Sequence, residues 1–271
     1  MSDFVRRDSV VRRIWGDTDM VLFVFAGAAA EFALNRAVDW LFFTGKLPND
    51  PIGRLFATAG YAQQIVFADE TTATCTLERI RAVHAAVERR RGESIPEWAH
   101  RDVLYMLIDY SERAHTLLRG PLTADERHEL YDVFYRVGVG LGVTALPPSY
   151  ARWRVDRMLH LRADLVRSAG TEALLAAYRR HLGDWRYRLL ELVQSVLVPT
   201  RVSDLLGVKA AVGWVRPMVC LYSIAGRVGM RPIIQRIVMP AEHLAAIRAL
   251  DRGRRLPKQD GSLSAAAVGL G

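Results

Sequence analysis

The stretch RLFATAGYAQQIVFADETTATCTLERIRAVHAAV, residues 54–87, predicts two consecutive helices that each carry polar side chains on one face. In the first helix, Arg54 and Thr58 are four residues apart and therefore lie on the same side. In the second, His84 follows Leu77 by two helical turns and falls within the same apolar stripe. Each helix thus places polar groups on a surface that should be buried.

A histidine within an apolar stripe needs a partner, because an unpaired buried polar group costs about 1–3 kcal/mol. One interpretation of His84 is a core histidine that hydrogen-bonds a backbone carbonyl or a neighbouring side chain. The other is a ligand of a metal or of haem iron, because a neutral imidazole in a dry pocket suits an axial haem site. The spacing alone leaves both interpretations open.

The rest of the chain predicts an all-α fold. Its 271 residues, 51% of them apolar, are enough for a sizeable core. No segment shows the alternation expected of strands, whereas helical periodicity recurs along the chain. We therefore expect a single helical domain of about eight to ten helices over residues 1–250, followed by a basic, disordered tail at 251–271.

The apolar segments indicate where the long helices lie. Residues 20–43 are the most hydrophobic and predict a central helix, in which Gly27 and three alanines leave a smooth face for another helix or a flat cofactor. Residues 171–197 predict one long helix that Pro199 terminates.

Two sequence patterns predict helix starts. Ser94-Ile-Pro-Glu97 and Thr123-Ala-Asp-Glu126 both have the spacing of a capping box, in which side chains satisfy free backbone N–H groups.

Composition excludes several classes of function. The net charge of +8 comes mostly from arginines that are spread along the chain without a recognition-helix or zinc-finger pattern, so we expect no nucleic-acid partner.

The sequence also predicts where the protein is located. Cys75 and Cys220 form no disulfide or zinc pattern, and the start of the chain lacks the apolar core of a signal peptide. Both features favour the cytoplasm. The longest apolar run, 20–30, is shorter than the roughly 20 residues of a membrane span, which leaves only peripheral membrane contact open.

Two Glu-x-x-His patterns, Glu97…His100 and Glu112…His115, have the ligand spacing of di-iron carboxylate bundles. Such a site needs one pair from each of two facing helices. Both pairs lie on one predicted helix, about 22 Å apart along its axis, so they cannot share one centre. A di-iron oxidase is therefore the weaker metal hypothesis.

Several motifs together resemble one bacterial family, that of MpaB-type oxygenases and latex-clearing rubber oxygenases. Their order and spacing are similar over residues 20–207. The matching stretches are FVFAGAAAEF at 23–32, Arg54-Leu55 with Thr58, Arg81 with His84, DVLYML at 102–107, the segment 120–153, and Leu197-Val-Pro199.

The resemblance implies a helical domain around a pocket for one b-type haem and the use of dioxygen on a hydrophobic substrate. By this resemblance His84 is the axial iron ligand, Arg54 and Thr58 are catalytic and bind the cofactor on its distal side, and Arg81 also contacts the cofactor. The implied reaction is oxidative C=C cleavage or dehydrogenation of an isoprenoid or natural-product-like molecule.

The chain departs from the family pattern at two places. Ala57 stands where rubber oxygenases carry a lysine that can occupy the sixth coordination position of the iron, so we expect an open or water-bound distal site. Residues 105–107, Tyr-Met-Leu, replace a Trp-Val-His found in many bacterial members. A non-catalytic helical protein that binds haem or an apolar ligand therefore remains the alternative function.

Overall fold

The computed structural model describes residues 2–43, 50–208, 217, 222 and 231–253. These residues are predominantly helical and contain no β-strand, which confirms the all-α prediction. The predicted tail at 251–271 begins inside the last helix, which continues to Gly253, and residues 254–271 lie outside the described part. The helices are α1 (Val10–Trp15), α2 (Thr18–Leu34), α3 (Val38–Phe43), α4 (Pro51–Val66), α5 (Glu70–Arg91), α6 (Glu97–Arg119), α7 (Ala124–Gly140), α8 (Tyr150–Ala163), α9 (Ala169–Leu182), α10 (Asp184–Leu197), α11 (Thr200–Leu206), α12 (Arg231–Val238) and α13 (Leu244–Gly253).

Helix α2 is the centre of the fold. Most of its residues are buried, and it packs against α6, α9 and α10 among others, as expected for a helix that is apolar on all sides. The predicted single helix over 20–43 is wrong, however, because α2 ends at Leu34. Asn35 is extended there and its side-chain oxygen accepts a hydrogen bond from the Ala37 N–H at 2.9 Å, which turns the chain into α3.

The smooth face predicted at Gly27 accommodates a helix. A Cβ atom placed on Gly27 would lie 2.3 Å from Cδ1 of Tyr110, so the ring of Tyr110 occupies the space that a side chain would need. This glycine therefore allows α6 to approach α2 closely.

One predicted capping box is confirmed and the other is wrong. The Thr123 hydroxyl accepts from the Glu126 N–H, and the Glu126 carboxylate accepts from the Thr123 N–H, at the start of α7. Ser94 does not cap α6, which begins only after Pro96. Proline disfavours a helical conformation in the residue before it, so Glu97 becomes the first helical residue instead of the fourth position of a box.

The predicted long helix over 171–197 is also wrong, because Gly183 divides it into α9 and α10. Gly183 has a φ of +76°, a conformation that glycine adopts readily and most other residues avoid. The resulting hairpin folds α10 back beside α9. No helix in the described residues is both long and apolar enough to cross a membrane.

Candidate functional site

Residues 54–87 form most of α4 and α5, which pack against each other. Each helix start is fixed by an aspartate: Asp50 accepts a hydrogen bond from the Gly53 N–H, and Asp69 accepts one from the Thr72 N–H at 2.9 Å. Only a short connection, residues 67–69, joins the two helices, so the polar faces predicted on them lie close together.

His84 lies half-buried on α5 and contacts a second histidine. Its ring centroid is 5.0 Å from that of His100 on α6, with an angle of 42° between the ring planes. The His84 ring makes no hydrogen bond to any residue that the structure describes. Burial, and then the charges of His100 and Arg54, lower the pKa of His84 to about 4, against a smaller opposing effect of Glu88. His84 is therefore neutral near pH 7, the form in which imidazole binds a metal.

Arg54 supplies a cation beside His84. It is half-buried on α4, and burial lowers its pKa. Within the described part of the chain Arg54 forms no ion pair with a carboxylate. Thr58, one turn later, is exposed, and its hydroxyl donates to the Arg54 carbonyl oxygen at 3.0 Å. A partly buried guanidinium without a counter-ion is suited to binding an anionic group.

The four predicted site residues do not all converge. The structure brings His84 and Arg54 together and places Thr58 on the same helix face as Arg54. Arg81 is exposed on α5, where its Nε would lie 3.5 Å from a Cβ placed on Gly142 in the loop after α7. Arg81 therefore lies toward solvent, outside the contact between His84 and His100.

A separate apolar cavity of about 390 Å³ borders another face of α4. It is lined by side chains of α2, α4, α9, α10 and α12, and Leu55 and Ala59 are among the α4 residues that face it. Because an α-helix turns about 100° per residue, Leu55 and Ala59 are each rotated by about that angle from Arg54 and Thr58 and lie on a neighbouring face. Helix α4 is thus a wall shared by the cavity and the His84 region.

A comparison with known families identifies the fold. The model of a family described as "ER-bound oxygenase mpaB/B'/Rubber oxygenase, catalytic domain" matches residues 12–228, most of the chain. The chain belongs to this family. The matched range contains all four predicted site residues and confirms the resemblance inferred from the sequence motifs. No curated protein and no solved structure matches the chain.

The mpaB/rubber oxygenase family consists of oxygenase catalytic domains, which supports an oxygenase function for this chain in broad terms.

His100 is a residue that sequence reasoning did not connect with His84. It appeared only as half of a Glu-x-x-His pattern, and the signal that could have linked the two histidines is weak, because they lie on different helices.

The second Glu-x-x-His pair serves the packing of this mpaB/rubber oxygenase domain. Glu112 accepts a hydrogen bond from the Tyr150 hydroxyl at 2.8 Å and pairs with Arg127 at 3.0 Å. The Nδ1 atom of His115 is 2.9 Å from the Gly120 carbonyl oxygen at the end of α6. Both side chains therefore have structural partners close by.

A second histidine cluster lies at the end of α8. Nδ1 of His160 is 2.5 Å from Asp102 Oδ1 and 3.2 Å from Asp164 Oδ2, and Asn35 donates to the other Asp102 oxygen at 2.6 Å. The three candidate ligand atoms lie within 4.8 Å of one another, a spacing that also suits a divalent cation. Burial would lower the pKa of His160, but the hydrogen bond and charge of Asp102 outweigh burial and raise it. The two carboxylates therefore favour the protonated form of His160.

An ion-pair network lies in the core between α2, α6 and α8. The Arg157 guanidinium donates to both oxygens of Glu31 at 2.6 Å and to Asp109 Oδ2 at 3.1 Å. The Tyr110 hydroxyl donates to Glu31, and Arg113 donates to the other Asp109 oxygen. Burial would raise the pKa of Asp109, but the two arginines lower it. Sequence periodicity gives no signal for this network, because its partners come from distant parts of the chain.

Proposed function

We propose that the protein is a haem-b-dependent oxygenase that uses dioxygen on a small hydrophobic substrate, with His84 as the axial ligand of the iron. The observation that carries this proposal is His84 itself: a neutral, half-buried imidazole without a hydrogen-bond partner in the described residues, next to an unpaired cation. Family membership supports the oxygenase part of the proposal.

The chemistry of His84 fits a haem ligand. A histidine binds a metal only in its neutral form, and the pKa of about 4 keeps His84 neutral at physiological pH. The ring nitrogens of His84 have no hydrogen-bond partner in the described residues, so one of them is free to bind a metal. An iron ligand bond satisfies that nitrogen, and the neighbouring His100 ring restricts how far the His84 ring can turn.

Arg54 and Thr58 provide the polar groups on α4. The Arg54 guanidinium can donate to a carboxylate of the bound cofactor or to an anionic oxygen, and charge-assisted hydrogen bonds of this kind are about twice as strong as neutral ones. The Thr58 hydroxyl keeps lone pairs free to accept while it donates to the Arg54 carbonyl oxygen. Haem, when bound, supplies the dioxygen chemistry that no protein side chain supplies alone.

Ala57 shapes the same surface by its size. It is exposed next to Thr58, and its methyl group can neither coordinate iron nor donate a hydrogen bond. We therefore expect the α4 side of the site to be open. The proposed reaction is oxidative C=C cleavage or dehydrogenation of an isoprenoid or natural-product-like substrate.

The cavity favours a second candidate, a non-catalytic protein that binds haem or an apolar ligand. The cavity is lined almost entirely by apolar side chains and needs no haem for its ligand. Oxygen consumption with candidate hydrophobic substrates distinguishes the two, because only the oxygenase consumes dioxygen in proportion to product.

The first test is a visible absorption spectrum of protein purified after expression with a haem precursor. We expect a Soret band in the wild type that is lost in His84→Ala, because the variant has no axial imidazole. His128→Ala, which removes an exposed histidine on α7, is the matched control and should keep the band. His100→Ala should also keep it, since His100 is a neighbour of the ligand.

Two results would contradict the proposal. A wild type that stays colourless after incubation with haemin excludes haem as the cofactor. A band that survives in His84→Ala but disappears in His100→Ala moves the ligand to α6. Far-ultraviolet circular dichroism of each variant shows whether loss of the band reflects loss of the fold.

A further inference from the structure

The cavity beside α4 has an exposed mouth and a buried floor. Trp185 and Ile237 line it and are 49% and 56% exposed, respectively, whereas Tyr178 and Ala29 line it and are 3% and 1% exposed. A ligand therefore enters between α10 and α12 and ends against α2 and α9. Large exposed apolar side chains at such an opening are typical of a ligand-binding site.

The size and lining of the cavity fit a small, mainly aliphatic molecule. Its volume of about 390 Å³ lies within the roughly 300–1,000 Å³ range of small-molecule pockets. If each non-hydrogen atom takes about the 30 Å³ that a water molecule occupies in the liquid, roughly 13 such atoms fit. Leucine, valine, isoleucine and phenylalanine side chains form most of the walls.

Arg186 places a cation beside the mouth. Its Nε donates to the Ile237 carbonyl oxygen at 3.1 Å, and its guanidinium lies 4.5 Å from the centre of the Trp185 ring. These contacts hold the side chain in place, and no carboxylate in the described part of the chain pairs with it. The remaining guanidinium N–H groups are therefore available to an anion.

Tyr178 places a hydroxyl group inside. Its side chain is almost fully buried and lines the cavity, and burial raises its pKa. The hydroxyl forms no hydrogen bond with any described residue. Buried tyrosine hydroxyls usually have a partner, because an unsatisfied one loses its bonds to water without replacement. A water molecule at the inner end of the cavity would satisfy it.

We propose that this cavity binds a molecule with an aliphatic chain and one carboxylate, such as a medium-chain fatty acid. The carboxylate binds Arg186 at the mouth, and the chain lies against the apolar side chains of α2 and α4 and ends beside Tyr178. This site does not depend on the haem assignment, since His84, Arg54 and Thr58 are not among the residues that line the cavity.

The test is isothermal titration calorimetry of the full-length protein with decanoate, decan-1-ol and decylamine, each below its micelle concentration. We expect decanoate to bind with one-to-one stoichiometry and more tightly than decanol, and decylamine not to bind. Decanol that binds as tightly as decanoate, or decanoate that does not bind at all, overturns the proposal.

Variants locate the carboxylate. Arg186→Gln should weaken decanoate binding about ten-fold or more, as expected for loss of a charge-assisted hydrogen bond, and should leave decanol binding nearly unchanged. Arg188→Gln, an exposed arginine on the same helix, is the matched control and should bind decanoate like the wild type. Equal affinities of the two variants for decanoate would contradict the assignment of Arg186.

Two further variants test the position of the chain. Tyr178→Phe should leave decanoate affinity nearly unchanged, because Tyr178 lies at the inner end of the cavity, away from the carboxylate. Leu189→Trp should abolish binding of both ligands, because the larger side chain fills the cavity that Leu189 lines. His84→Ala should leave decanoate affinity unchanged, and a loss of binding in that variant would show that the two sites are one.

Discussion

Arg157 balances the charges of two buried carboxylates in the core. It neutralises Glu31 and Asp109, which are 1% and 3% exposed, through paired hydrogen bonds. Removing one partner of a buried ion pair leaves an uncompensated charge, which typically costs about 3–5 kcal/mol. We therefore expect Arg157→Met, which keeps the aliphatic stem, to lower the free energy of unfolding by about that amount.

Urea denaturation followed by circular dichroism measures this effect. Arg154→Met on the exposed side of α8 is the control and should change the free energy of unfolding by no more than about 0.5 kcal/mol. Adding Glu31→Gln to Arg157→Met should restore part of the loss, because one unpaired carboxylate is removed. If Arg157→Met is as stable as the control, the network does not contribute to stability as the geometry indicates.

His160 predicts how stability depends on pH. Its pKa is raised above 6.5 in the folded protein, so its contribution is complete below pH 6.5 and is lost as pH rises through the raised value. The pKa of Asp164 is also raised, by burial and by Asp102, and acts in the same direction. His84 and His100 have lowered pKa values and therefore affect stability only below pH 6.5.

Thermal unfolding at a series of pH values above 6.5 isolates His160. Wild-type protein should lose stability with rising pH in this window, and His160→Gln should show a smaller slope. His181→Gln, on α9, should keep the wild-type slope. A slope that does not change in His160→Gln would mean that another group causes the pH dependence.

At the scale of the helices, Gly27 sets the distance between α2 and α6. A methyl group there would meet the Tyr110 ring, which cannot swing away because it is fully buried and its hydroxyl is bonded to Glu31. Gly27→Ala should therefore destabilise the protein by about 1–3 kcal/mol, although alanine favours a helix more than glycine does.

Gly60 provides the matched control for this prediction. It lies within α4, and nothing lies within 4 Å of a Cβ placed on it. Gly60→Ala should therefore stabilise the protein by up to about 1 kcal/mol, since only the helix preference changes. Denaturant unfolding of both variants measures the difference, and effects of the same sign would show that helix preference, not the contact with Tyr110, decides the result.

Across the whole molecule, local signals in the sequence predict local structure well. The all-α class, the central position of α2 and the Thr123 capping box follow from periodicity and from hydrogen bonds between near neighbours. The sequence does not predict the break at Gly183, because a glycine there is compatible with a helix and its positive φ is a property of the folded chain. The sequence correctly predicts that Arg54 and His84 lie on two consecutive helices, α4 and α5. Their chemical roles stay predictions.

Contacts between distant residues could not be predicted in the same way. In the sequence, Glu31 is only the residue that ends an apolar run. No residue near it in the sequence indicates that Glu31 pairs with Arg157. The cavity has no sequence signature either, because Tyr178 and Arg186 look like ordinary residues of an amphipathic helix. The roles proposed for Tyr178 and Arg186 follow from the hydrogen bonds and ion pairs that these side chains do not form with the described residues. Only the tertiary structure shows this.

The shared wall formed by α4 has a thermodynamic consequence. Any ligand that displaces α4 by filling the cavity also displaces Arg54 and Thr58, which lie on a different face of the same helix. The two occupancies are then linked, and linkage is reciprocal: whatever factor the first ligand applies to the affinity for the second, the second applies to the first. A single helix would thus make the protein respond to two molecules that never touch.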